Sequence, residues 1–181
     1  MPERSLQQLV NDTIDACRKP VVNSFDPSAV VVCPPKWVHL LEQRVVAELQ
    51  PEIKQQEIWV ISAEALMLRF WEDAASKGDP VEDLSPRMSR RFMEFEEQEF
   101  LGGLFEAVLT TFENRPDLKT CLITGLWIFY PSIHTSTILS DLKNRNLKGQ
   151  VIFLYPGLDQ DGITLKLLGL DEGFGYKARR I

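Results

Sequence analysis

Ala29-Val30-Val31-Val32-Cys33-Pro34-Pro35-Lys36-Trp37 decides the fold. The run from Ala29 to Cys33 is apolar throughout and rich in valine. A short β-branched run with no polar face fits a strand covered on both sides. Pro34-Pro35 ends it, and a helix can begin at Lys36. Trp37, Val38, Leu41, Val45 and Leu49 then recur at helical spacing as far as Pro51. A fully buried strand followed at once by an amphipathic helix is the building unit of a parallel sheet.

The pattern repeats outward from there. Upstream, Leu6, Leu9, Val10, Ile14 and Cys17 mark one face of a helix that Pro20 stops, and Asn23 to Ser28 is a turn by composition. Downstream, Glu57 to Ser62 is a second strand, and the Ser62 hydroxyl can cap the following helix, which Lys77-Gly78-Asp79-Pro80 stops. Val81 to Met88 reads as an exposed connector. Ser89 to Asn114 carries one long helical pattern that Gly102-Gly103 weakens. Thr120 to Ile123 and Trp127 to Tyr130 read as one strand interrupted at Thr124-Gly125. A helix with Ile138, Leu139 and Leu142 inside leads to a third apolar strand, Val151 to Tyr155, which Pro156-Gly157 stops. Ile163 to Leu168 alternates like a half-exposed strand, and Phe174 to Ile181 can pair with it as an edge hairpin. The expectation is a single α/β domain over residues 1–181. It has three layers, a mainly parallel sheet flanked by helices and a C-terminal β hairpin at an edge, resembling a degenerate P-loop or Rossmann-like fold.

Composition narrows the function. The chain has 181 residues, with 20 Lys plus Arg against 26 Asp plus Glu, a formal charge of −6. A pI near 5.0 argues against coating nucleic acid through bulk charge, though a local basic patch remains open. Cys17, Cys33 and Cys121 are widely spaced, with no zinc-ligand pairing, and read as reduced thiols of a cytoplasmic protein. The longest apolar stretch, Cys121 to Tyr130, falls well short of the ~20 residues that span a bilayer. The N-terminus lacks a signal-like apolar core. Neither membrane insertion nor secretion is expected.

In parallel α/β folds ligands sit beyond the carboxyl ends of the strands. The first such exit, Cys33-Pro34-Pro35-Lys36, has no glycine, and its prolines remove two N–H donors from any anion cradle. Lys36 alone is a point charge. No central strand ends in an acid that would hold magnesium for a nucleotide hydrolase. His39 and His134 are the only histidines; a Cys33/His134 or Ser132/His134 nucleophile pair would need tertiary contact. Glu52-Ile53-Lys54 reads as a solvated loop, Asp159 to Gly162 as a turn rather than a calcium loop, and Glu94, Glu96, Glu97 and Glu99 as a solvated helix face. No catalytic residue, metal or cofactor is expected. The tail carries the opposite charge, with Lys166, Lys177, Arg179 and Arg180 beside Tyr155, Phe174 and Tyr176. A basic, aromatic-bearing edge suits an acidic partner or a nucleic-acid backbone; charge that protects an edge strand is the plainer reading.

One ordered series of motifs resembles a known family. Leu122-Ile123-Thr124-Gly125 is followed by Tyr130-Pro131, a helix with Leu139 and Leu142, and then Val151 to Tyr155-Pro156-Gly157. Asp161-Gly162, Leu165-Lys166-Leu167 and Tyr176-Lys177-Ala178 complete it. The series, from Cys121 to Arg179, resembles the BrxB family of BREX phage-defence systems. The closing motif departs from the family's Tyr-Tyr-Arg-Ala-Phe: Gly175, Lys177 and Arg179 stand for Tyr, Arg and Phe. Lysine cannot reproduce a bidentate arginine fork. The resemblance implies a bacterial, non-catalytic adaptor of a multi-protein antiviral system that binds a PglZ-type phosphatase-like protein. The docking residues expected are Tyr155, Pro156, Gly157, Tyr176, Lys177, Arg179 and Arg180. Two other readings stay open: a nucleotide-binding switch or weak nucleotide hydrolase at Cys33–Lys36, and a nucleic-acid contact module on the basic tail.

Overall fold

Strand faces organise the molecule. In the computed structural model, which describes residues 4–21, 27–76, 86–129, 135–145, 147–159, 164–167, 170–175 and 179–181, β1 (Ser28–Cys33) is buried at every position. Its neighbours are β2 (Ile58–Ser62), β3 (Thr120–Thr124) and β4 (Gln150–Asp159). The sheet order is β2-β3-β4-β1-β7, where β7 is Arg179–Arg180, and every pairing in this row is parallel. Successive side chains of a strand point to opposite faces, so the runs feed two cores. Ala29, Val31, Cys33, Leu122, Ile152 and Leu154 pack with α1 (Leu6–Arg18) and α2 (Val38–Glu48). Val30, Val32, Cys121, Ile123, Val151, Phe153 and Tyr155 pack with α5 (Pro86–Asn114) and α6 (Thr135–Asn144). The three-layer α/β architecture read from the sequence is therefore the fold.

Local signals hold the helices in place. Ser5 closes a capping box on α1: its Oγ accepts the Gln8 N–H at 3.2 Å, and Gln8 Oε1 accepts the Ser5 N–H at 2.9 Å. Ser62 caps α4 (Ala63–Ser76) as expected, its Oγ accepting the Ala65 N–H at 3.1 Å. Pro34-Pro35 opens a 3-10 turn, Pro35–Trp37, that runs straight into α2.

Some expectations need correction. Pro51 does not close a helix onto a loop; it sits in the first turn of a separate short helix, α3 (Gln50–Lys54). Proline lacks only an N–H that a first turn leaves unbonded. Glu52 is accordingly no solvated loop residue, since Arg18 Nε donates to its Oε1 at 2.6 Å. The strand from Thr120 ends at Thr124, because Gly125 takes a left-handed φ of +75° and Leu126–Phe129 coils into a 3-10 turn. The long helix begins at Pro86, inside the expected connector. At the C-terminus β5 (Thr164–Leu167) pairs antiparallel with both β4 and β6 (Leu170–Gly175), which makes the hairpin. The chain beyond it does not extend that hairpin: Arg179–Arg180 pairs parallel with Ala29–Val30 of β1.

Candidate functional site

The carboxyl ends of β1 and β4 lie side by side, with Cys33 in register with Pro156. Cys33 is fully buried, and its thiol donates to the Tyr155 carbonyl at 3.7 Å. Burial pushes that thiol up to about 12, and the Glu42 charge adds to the rise. A neutral, enclosed thiol is a poor nucleophile. The backbone of the exit is also occupied, since the Trp37 N–H donates to the Pro34 carbonyl at 2.9 Å. Lys36 is exposed, with its ammonium 5.1 Å from the Trp37 ring centroid. His134 lies outside the described residues.

The expected docking residues divide. Tyr155 is 1% exposed and belongs to the core that α5 and α6 cover; Pro156 and Gly157 are buried as well. The inward alternation Val151, Phe153, Tyr155 carries the tyrosine into the protein, so its side chain is no surface contact. Arg179 and Arg180 form β7 on the outer side of β1, and the next residue, Ile181, donates its N–H to the Val30 carbonyl at 3.1 Å. Tyr176 and Lys177 lie outside the described residues.

Glu42 is the residue the sequence reading passed over. It is a carboxylate only 9% exposed, on the buried side of α2. Its Oε1 accepts the Gly125 N–H at 2.8 Å, which ties α2 to the turn after β3. Burial raises its pKa; the Gly125 N–H and the Trp127 indole oppose that rise. The indole Nε1 is itself buried and reaches no acceptor at hydrogen-bond geometry among the described residues. The available signal was position: Glu42 lies four residues after Val38 and three before Val45, on the stripe that faces the sheet.

A cleft of about 490 Å³ opens beside Glu42 at the exits of β2 and β3. Val46 and Ala47 line it, as do Ser62, Glu64, Thr124 and Gly125. Gln43 Nε2 lies within hydrogen-bond distance, 2.9 Å, of His39 Nε2 on its rim. A larger groove of about 900 Å³ lies at the opposite, amino end of β2 and β3, where Arg18, Lys119 and Lys148 balance Glu52, Glu57 and Asp117. Among the described residues no three His, Cys, Asp or Glu side chains are grouped to hold a metal ion. Nor is any described helix long and apolar enough to cross a membrane.

No curated protein and no solved structure matches the chain, so the likeness to a degenerate P-loop or Rossmann-like fold has no solved relative behind it. A family model described as BREX protein BrxB matches residues 72–181. The match starts in α4 and takes in α5, upstream of the Cys121–Arg179 series that carried the resemblance, and it reaches the last residue of the tail. The chain belongs to the BrxB family and is a component of a BREX defence system.

Proposed function

We propose that this BrxB-family chain is a non-catalytic adaptor, which docks a larger, PglZ-type component of its BREX system through the basic C-terminal tail. The observation that carries the reading is the path of β7. Arg179 and Arg180 lie on the edge of the main sheet, in register with Ala29 and Val30, next to the strand on which both cores are built. An edge strand offers unpaired backbone groups, and two arginines add charge for an acidic partner. Tyr176 and Lys177 immediately precede it in the chain. Tyr155, Pro156 and Gly157 contribute indirectly, by fixing the end of β4 beside the carboxyl end of β1. The buried neutral thiol of Cys33 and the proline-closed exit support binding over turnover.

The test is co-purification of the chain with the PglZ-type protein, comparing wild type with Tyr176→Ala/Arg179→Ala. Loss of the complex, with the folded state unchanged by circular dichroism, is the expected result. Retained binding at the original affinity removes the tail from the interface.

A further inference from the structure

We propose that β2, at the opposite edge of the main sheet from β7, pairs antiparallel with β2 of a second copy of this chain, across a two-fold axis at Ile61. The row β2-β3-β4-β1-β7 gives β2 no strand neighbour but β3 among the described residues. The ladder fixes which of its backbone groups face outward. The Gln150 N–H donates to the Lys119 carbonyl at 2.8 Å, and the Val151 N–H to the Pro27 carbonyl at 2.8 Å. Backbone groups of successive residues alternate between the two sides of a strand. Lys119, Cys121 and Ile123 therefore turn toward β4, and Thr120, Leu122 and Thr124 toward β2. Of two register partners in a parallel pair, only one turns to the other strand. Ile58, Val60 and Ser62, in register with Thr120, Leu122 and Thr124, thus turn their N–H and C=O groups away from β3, to the edge.

Burial shows where that edge is open. Ile58 is buried, but Val60 and Ser62 are half-buried, as is Trp59 on the other face of the strand from Val60. Nothing in the strand discourages pairing. Ile58-Trp59-Val60-Ile61-Ser62 has neither charge nor proline, the devices that blunt an edge, whereas the far edge of the row is Arg179–Arg180. The occupant is a second copy because the open stretch is complementary to itself. Centred on Ile61, an antiparallel pair sets Val60 opposite Ser62 of the second copy, and Ser62 opposite its Val60. Both are outward-turned residues, so each facing pair can exchange backbone hydrogen bonds. Ile61 meets Ile61 of the second copy, a β-branched cross-strand pair. No charged residue of the strand meets its own copy, and a closed two-fold dimer is the commonest symmetric assembly. Arg115, its guanidinium 3.9 Å from the Trp59 ring centroid, holds that ring beside the open stretch. The edge requires nothing of the tail, so the inference goes beyond the adaptor reading, and both edges can be used at once.

The experiment is sedimentation equilibrium of the full chain from micromolar to millimolar concentration. A monomer–dimer equilibrium is expected; a monomer throughout overturns the proposal. The register is tested by cross-linking with diamide, which oxidises a pair of thiols to a disulfide and takes up their hydrogens. Facing residues of a hydrogen-bonded antiparallel pair have Cα atoms roughly 5.5 Å apart, within disulfide reach. A mixture of Val60→Cys and Ser62→Cys chains should therefore yield a linked dimer of one chain of each kind, while either variant alone should stay unlinked. The native cysteines are buried and stand aside. Equal linking in the mixture and in the single variants overturns the proposal. Val60→Lys adds the charge that natural edges use against pairing and should leave a monomer with native circular dichroism. A dimer of unchanged affinity in that variant also overturns the proposal. No partner protein enters these measurements, so their failure and a failure of tail docking are separately visible.

Discussion

Glu42 Oε1 and the Gly125 N–H meet at 2.8 Å, a bond that joins the middle of α2 to the turn where β3 stops. The turn exists because Gly125 adopts φ +75°. A Cβ there would approach the Glu64 backbone nitrogen to 3.4 Å, an ordinary contact, so backbone strain is the dominant cost. Gly125→Ala should therefore destabilise by about 1–2 kcal/mol, the usual cost of a left-handed non-glycine residue. Urea unfolding measures it; an unchanged midpoint would show that the turn can relax out of the left-handed region.

The same bond sets a pH dependence. Burial raises the Glu42 pKa, opposed by the Gly125 N–H, the Trp127 indole and the charge of His39, and reinforced by Glu64. An acid whose folded pKa exceeds its unfolded value holds its proton more tightly when folded. Its ionisation thus costs stability as pH rises from the unfolded pKa through the folded one. Glu42→Gln should make the protein more stable at neutral pH, and that advantage should fade as pH falls below about 4.3. Melting curves of both proteins across pH 3–8 give the comparison; a variant less stable than wild type at neutral pH contradicts it.

What was legible in the sequence follows from how each signal arises. Ala29 to Cys33 and Val151 to Tyr155 could be read as two-sided strands because burial on both faces demands an unbroken apolar run. The Ser62 cap was legible because capping is a local bond. Trp127 to Tyr130 reads as strand although the chain coils into a 3-10 turn as far as Phe129, because an apolar run alone does not separate a strand from a turn of helix; the φ of Gly125 does. The partner of Arg179–Arg180 was out of reach, since β1 lies far away in the chain and no local pattern encodes that register. Tyr155 was legible and was missed: period two from Val151 and Phe153 already sends it inward. Family membership was readable only where the motifs are dense, whereas the match extends upstream to residue 72.

Thiol chemistry offers a third check. Cys17 and Cys33 are pushed up to about 12 by burial, and burial raises Cys121 as well. All three are free and buried. At pH 8 the native protein should react with an aromatic disulfide reagent only at the rate of its unfolding, whereas all three thiols should react at once in denaturant. Rapid labelling of Cys33 in the native state would return a nucleophile to the β1 exit and undercut the adaptor reading.

Gly149 is the most crowded of the described glycines. A Cβ there would overlap the edge of the Phe112 ring and lie 2.9 Å from the Lys119 carbonyl. Phe112 belongs to the core beneath α5, and the Lys119 carbonyl accepts the Gln150 N–H at 2.8 Å, so neither neighbour is free to retreat. Gly149→Ala should destabilise by about 1–3 kcal/mol through overpacking. Phe112→Leu alone should also destabilise, by opening a cavity. In the double variant the smaller side chain vacates the space the new methyl needs, so the two losses should fall short of their sum by about 0.5–3 kcal/mol. Full additivity in denaturant unfolding would mean that the backbone at Lys119, rather than the ring, excludes the methyl.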